Sequence, residues 1–189
     1  MLETERLVLR RWTAADREPF ARINADPEVA RYLSRRLTRE QSDAFVDRIE
    51  AQWRERGFGL YAVEVRKGAA FAGFIGLSVP PFDAAFTPCV EIGWRIAPEH
   101  WNLGYATEGA RAVVGHAFGI LRMPALVSFT TVENRPSRRV MEKLAMTHDP
   151  AEDFDHPLLP QGHPLRPHVL YRLSAPPGYS SSVVTSPNS

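Results

Sequence analysis

Apolar residues recur along this chain at two spacings, every second position and every third or fourth, and the switches between them lay out the elements. Residues 5–12 (Glu-Arg-Leu-Val-Leu-Arg-Arg-Trp) are rich in β-formers and predict a first strand. Thr13 and Asp16 predict a helix start with Thr13 as N-cap. That helix turns Phe20 and Ile23 inward and stops near Asp26-Pro27, because proline restricts the residue before it. A second short helical piece is expected from Glu28 to Leu33. Thr38-Arg-Glu-Gln41 is a capping box, and the helix behind it sets Phe45, Ile49 and Trp53 on one face until Gly57 stops it. Strands follow at 58–66 and 70–79, joined by Lys67-Gly68-Ala69 as a hairpin, and Pro80-Pro81 ends the second. Residues 82–88 read as a loop.

The pattern is sharpest from Val90 to Glu108. Val90, Ile92, Trp94 and Ile96 alternate with Glu91, Gly93 and Arg95, as a strand requires, and Pro98 ends the ladder for want of an N–H. From Gly104 the apolar positions change to helical spacing: Ala106, Ala110, Val113, Val114, Ala117, Phe118, Leu121. A strand, a glycine turn and a helix start in that order have a physical use. The first N–H groups of a helix lack partners, the dipole makes that end mildly positive, and a glycine lets a phosphate approach the backbone. On spacing alone, a plain strand–turn–helix corner remains open as the alternative.

Residues 125–131 read as a buried strand, and Asn134-Arg-Pro-Ser137 opens a helix with Val140 and Leu144 inward. Eight of the 16 prolines fall in the last 40 residues, so 150–167 reads as a long loop rather than an element. Residues 168–174 return to alternation as a final strand. The polar stretch 175–189 is expected to be a disordered tail, leaving one domain over 1–174. The order β-α-α-β-β-β-α-β-α-β predicts an α/β (α+β) fold with helices on both faces of a mixed sheet.

Composition narrows the function. At 189 residues the chain fits one domain, and 44% hydrophobic content supports a folded core. With 23 basic and 22 acidic residues the net charge is +1, so no strong field points to nucleic acid or a membrane surface. The single cysteine, Cys89, excludes an intramolecular disulfide and a cysteine-rich zinc site, and suits a reducing compartment. The first residues are polar, without an apolar signal region, and no run of 18 apolar residues exists, so a cytoplasmic location is expected. His148, His156, His163 and His168 fit no metal-ligand spacing, and no metal is expected.

Glu91, mid-strand, is costly to bury. It is therefore exposed, paired with Arg95, or functional. Asn134 and Ser137 read on their own as groups that satisfy a helix start. Cys89 lacks a neighbouring base and is a poor acyl-carrying nucleophile.

Two segments carry a resemblance. Trp101-Asn-Leu-Gly-Tyr-Ala-Thr-Glu108 resembles the acyl-CoA pyrophosphate loop of the GNAT N-acetyltransferases, in the form common in the ribosomal-protein N-terminal acetyltransferase branch. Asn134-x-x-Ser137-x-x-x-x-Glu142-Lys-Leu-Ala-Met146 resembles that family's Asn-x-x-Ser helix. The chain departs from the family pattern at Trp101 (Gln or Arg more widely), Asn102 (Gly), Ala145 (Gly) and Met146 (Phe). The resemblance covers roughly residues 3–174 and implies a GNAT-like, mostly antiparallel sheet.

It also implies an acetyl-CoA-dependent N-acetyltransferase that acts by direct transfer. Glu91 would accept the amine's proton through water, and Ser137 would be the donor to the thiolate. Arg95, Ile96, Trp101, Asn102, Leu103, Gly104, Tyr105, Ala106, Thr107 and Asn134 would contact the cofactor, and Glu108 would be structural. By the same resemblance His156, His168 and Tyr171 border the acceptor pocket. The expected acceptor is a primary amine, with a protein N-terminal α-amine favoured over a polyamine or aminoglycoside-like amine, and a homodimer is common in this branch. The rival is a non-catalytic CoA-binding module on the same fold.

Overall fold

The computed structural model describes residues 1–33 and 35–177. Its strands are β1 (Leu2–Glu3), β2 (Leu7–Arg10), β3 (Leu60–Val65), β4 (Ala70–Ser78), β5 (Glu91–Ile96), β6 (Ala125–Thr131), β7 (Thr147–His148), β8 (Phe154–Asp155) and β9 (Pro167–Ser174). The helices are α1 (Arg17–Ala25), α2 (Pro27–Ala30), α3 (Arg39–Arg56), α4 (Tyr105–Gly119) and α5 (Arg135–Lys143). The strands form one open sheet in the order β1-β2-β3-β4-β5-β6-β9-β7, with β8 also on β9; β5–β6 is parallel and every other pair is antiparallel.

Local chemistry accounts for the helix limits. Gln41 N–H donates to Thr38 Oγ1 (3.3 Å), Thr38 N–H donates back to Gln41 Oε1 (3.1 Å), and Gly57 ends α3 at φ 74°. At Thr13 the chain first makes a 3-10 turn, Ala14–Asp16, in which Asp16 accepts from the Thr13 N–H (2.7 Å) and hydroxyl (3.0 Å), before α1 begins. Alternation along the strands then builds a core on each face. Leu7, Leu9, Ile75, Leu77 and Ile92 pack beneath Val113 and Ala117 of α4 and Met141 of α5. Trp12, Leu60, Ala62 and Phe74 pack on the other face with Phe20 of α1 and with Val46 and Ile49 of α3.

One expectation is corrected. The proline-rich segment 150–167 is not loop throughout: it holds a 3-10 turn at Pro150–Glu152 and strand β8, where Phe154 pairs with His168. Two residues are too few to show periodicity, so the strand left no pattern. The short strands β1 and β7 escaped notice for the same reason. Of the tail expected to be disordered, residues 178–189 lie outside the described residues. No helix among the described residues is long and apolar enough to cross a membrane.

Candidate active site

Strands β5 and β6 run side by side at one register pair only, Glu91 opposite Val127, where Val127 N–H donates to Val90 C=O (2.9 Å). Beyond it they part. A bulge on β4 lies beside the split: Val63 opposes Gly73, Glu64 opposes Phe71, and Ala72 is the extra residue. Gly73 sits at φ 126°, and a Cβ there would come within 2.0 Å of Arg95 C=O, so the close run of β4 along β5 requires glycine. Ala97 N–H donates to Ala72 C=O (2.9 Å). By alternation, the main-chain groups of Arg95 face β4, while those of Trp94 and Ile96 face the opening. Ile96 C=O accepts from the Trp101 indole (2.6 Å), which ties the following turn to the strand.

That turn is built for close approach. Asn102 (φ 60°) and Gly104 (φ 83°) are both left-handed, a conformation asparagine tolerates, so Asn102 takes a backbone shape suited to glycine. The first bond within α4 runs from Glu108 N–H to Gly104 C=O (3.0 Å), which leaves the N–H groups of Tyr105, Ala106 and Thr107 without partners in the helix. Arg6 braces the loop: Nη1 donates to Leu103 C=O (2.9 Å) and the guanidinium lies over the Tyr105 ring (4.9 Å). Glu108 fastens this corner to the N-terminal strands through Thr4 Oγ1 (2.6 Å) and Arg6 Nε (2.6 Å). Burial raises the Glu108 pKa, but those hydrogen bonds outweigh it and the net shift is downward.

Split strand and helix start share one cleft of about 610 Å³. It is lined by Arg95, Ile96, residues 101–107, Asn134 and Ser137, together with Tyr32, Leu33 and Trp94, which sequence reasoning missed. Arg6 was missed as well, because its partner Glu108 is 102 residues away and leaves no local signal. A smaller hollow of about 470 Å³, with Arg22, Phe71 and Glu99 in its wall, shares no lining residue with the cleft. Asn134 Oδ1 accepts from Ser137 N–H (3.3 Å) and its Nδ2 donates to Thr130 Oγ1 (2.9 Å), so its amide is already engaged at both ends. Among the described residues no protein partner takes the Ser137 hydroxyl.

Glu91 does not line this cleft. It approaches the closed end of the split from the α3 face, where it accepts from Ser78 Oγ (3.0 Å). Burial pushes its pKa up to about 7, against the Ser78 hydrogen bond. A Cβ on Gly93 would meet only Glu91 Oε1, at 3.7 Å, so the face beside the carboxyl is open. Glu91 is not paired with Arg95. Across the split on the same face stands Phe129, within a cluster of Phe82, Phe86, Phe154, His156 and His168; the two imidazole centroids lie 4.9 Å apart. Burial lowers the pKa of His156, and takes that of His168 down to about 4. Tyr171 is separate: it faces α5, is stacked on His148 (4.9 Å) and takes a hydrogen bond from Arg138 Nε (3.5 Å). Among the described residues no cluster of His, Cys, Asp and Glu is arranged to hold a metal ion.

Fold and cleft define an acyl-CoA-dependent acyltransferase, and similarity to known proteins agrees. The acetyltransferase (GNAT) domain profile matches residues 6–147, and the chain belongs to that family. It is 30% identical over 146 residues to the uncharacterized N-acetyltransferase YoaA of Bacillus subtilis, covering 76% of this chain and 81% of the relative. The crystal structure of an acetyltransferase from Agrobacterium tumefaciens superposes with a TM-score of 0.74 at 29% identity, covering 91% of this chain and 92% of that one. The spermidine N-acetyltransferase of Vibrio cholerae, solved with CoA and spermine, has a TM-score of 0.71 at 16% identity over 91% and 97% of the chains, which is a likeness of fold. The protein is thus an acetyl-CoA-dependent N-acetyltransferase.

Proposed function

We propose that the acceptor is a singly charged primary amine, an α-amine such as that of a protein N-terminus, as in the ribosomal-protein N-terminal acetyltransferase branch. The carrying observation is the raised carboxyl of Glu91 beside the open face at Gly93. A group with a pKa near 7 takes up the proton of an attacking amine at neutral pH, directly or through water. The amine nitrogen bonds to the thioester carbon, the C–S bond breaks with its electron pair on sulfur, and the Ser137 hydroxyl is the donor to that thiolate, with solvent returning a proton to Ser137 and taking the one from Glu91. The cofactor fits the cleft by its chemistry: free N–H groups at 105–107 suit the pyrophosphate, and the unpaired edge at Trp94 and Ile96 suits the amides of the pantetheine arm. The Ile96 N–H is the candidate donor to the thioester oxygen.

Other features support this reading. Burial and the Glu91 charge push the Cys89 thiol up, away from thiolate, which favours direct transfer over an acyl-cysteine. A polyamine needs a carboxylate for its second ammonium. Beside the acceptor-side cluster, on the strand that carries His168, Glu152 is held by Arg172 (2.7 Å). His156 and His168, neutral at pH 7, stand in that cluster as candidate acceptor contacts.

The test is acceptor-dependent thiol release from acetyl-CoA across peptides with free or blocked N-termini, polyamines and aminoglycosides. Release with free N-termini and none with blocked ones supports the proposal; preference for polyamines overturns it. Tight CoA binding with no release from any acceptor favours the non-catalytic module. Light scattering on the same preparation reports whether the expected homodimer forms.

A further inference from the structure

We propose that Arg95 receives an anionic group on the acceptor, close along the chain to the amine that is acetylated. This rests on the transferase reading. Glu91, Gly93 and Arg95 share the α3 face of β5, and no side chain fills the gap at Gly93. Arg95 Nη1 donates to Asn24 Oδ1 (2.5 Å), and Asn24 Nδ2 donates to Ser42 Oγ (2.8 Å). The guanidinium lies over Phe45 (5.6 Å) and Phe74 (5.4 Å). These neutral groups fix its position and leave its charge uncompensated. Among the described residues no carboxylate lies within 4.0 Å of it, whereas on the strands and helices of the same face Arg10 and Arg17 each hold two and Arg172 holds one.

A desolvated cation with no counter-ion is expensive to keep. Burial draws the Arg95 pKa down to about 10, which still leaves it charged at neutral pH. Among the described residues its Nε and Nη2 make no protein hydrogen bond, and the residue lines the cleft, so a fork suited to a carboxylate is free on the face that Arg95 shares with Glu91 and Gly93. The phosphates of the cofactor belong elsewhere, at the turn past the end of the strand. From Gly93 to Arg95 is about 7 Å along β5, so the anion must sit within a few bonds of the amine. Two sources share that chemistry: the carboxylate of a free amino acid, and an acidic first side chain on a peptide.

Matched pairs separate them. Free α-amino acids are compared with their carboxamides, and otherwise identical hexapeptides beginning Asp or Glu with those beginning Asn or Gln. Thiol release is measured for wild type, Arg95→Gln and Arg95→Lys, with CoA affinity by calorimetry and thermal midpoints for each. We expect the anionic member to be preferred at least tenfold in kcat/KM, chiefly through KM, in one of the two sets, and that set identifies the source. Arg95→Gln should bring the ratio to about one and Arg95→Lys to an intermediate value; if Arg95→Gln does not fold, Arg95→Lys carries the comparison. Equal or better use of the neutral members, or a preference that survives in the variants, overturns the inference. So does a tenfold loss of CoA affinity with the preference intact, which would assign Arg95 to the cofactor. CoA binding without acetylation of any pair also defeats the inference, and leaves the transferase reading to be decided with other amines. Failure to bind CoA defeats the reading of the cleft itself.

Discussion

Arg10 and Arg95 lie on the same face of one sheet, and only one of them is neutralised. Arg10 holds Asp16 through both terminal nitrogens (2.7 and 2.9 Å) and Glu64 through Nε (3.0 Å). Arg95 holds an asparagine oxygen and two aromatic rings. The carboxylates divide the same way. Burial raises the pKa of Asp16, but Arg10 and Thr13 more than reverse it, and the net shift is downward. Glu91, with a single serine hydroxyl, stays raised at about 7. Charges closed among themselves hold the N-terminal strands to α1. Charges left open line the strand where the sheet splits, which is where a reaction needs them.

Removing a closed charge should cost most. Asp16→Ala leaves the Arg10 guanidinium with Glu64 alone and the Thr13 N–H without its acceptor, and should lower stability by about 3 kcal/mol in urea titration at pH 7. The folded carboxyl ionises below its usual range, so its contribution is present above about pH 4 and fades as the pH falls. The difference between wild type and variant should therefore narrow in acid. A loss below about 1 kcal/mol would break the contrast.

Removing the open carboxylate should act in the opposite direction. Glu91 favours its protonated form in the folded state, so its stabilisation is fully present below the ordinary carboxyl value of 4.5 and is lost as pH rises through about 7. Glu91→Gln should accordingly be more stable than wild type by about 2–3 kcal/mol at pH 8, with the two converging near pH 4. A gap that does not change with pH would mean the carboxyl is not raised. Arg95→Gln breaks no ion pair and should cost only about 1 kcal/mol; a loss like that of Asp16→Ala would make Arg95 architecture instead.

The smallest effect lies outside both groups. Ala145 leaves α5 at φ 59° and is exposed, a conformation that penalises alanine. Ala145→Gly should raise stability by about 0.5 kcal/mol, the relief being partly offset by unfolded-state entropy. A decrease would show that the helix exit is not left-handed in solution.

What the sequence made legible was local. Alternation over 90–96, the helical spacing from Gly104 and the Asn-x-x-Ser helix start all lie within a few residues, and each element formed at those positions. The split did not show, because it depends on the register of β5 against β6, some 36 residues later, and on a bulge in β4. Nor did the fates of the charges. Spacing left a Glu91–Arg95 pair open, yet their partners are Ser78 and Asn24, the second 71 residues away. Asn102 and Ala145 looked like weakened glycine positions; the backbone keeps its left-handed shape at both. The resemblance grouped Tyr171 with His156 and His168, but Tyr171 lies three positions past His168 on β9, and an odd number of steps turns a side chain to the other face of the sheet.

The most direct test of the account is the pH–rate profile of acceptor-dependent thiol release from acetyl-CoA, in wild type and in Glu91→Gln. If Glu91 is the base, kcat/KM for wild type rises with pH through an apparent pKa near 7, and the variant loses that limb together with about a hundredfold or more of the rate. A variant that keeps the wild-type rate and the same limb would contradict the central claim, leaving the cleft a CoA site whose chemistry is done by other groups.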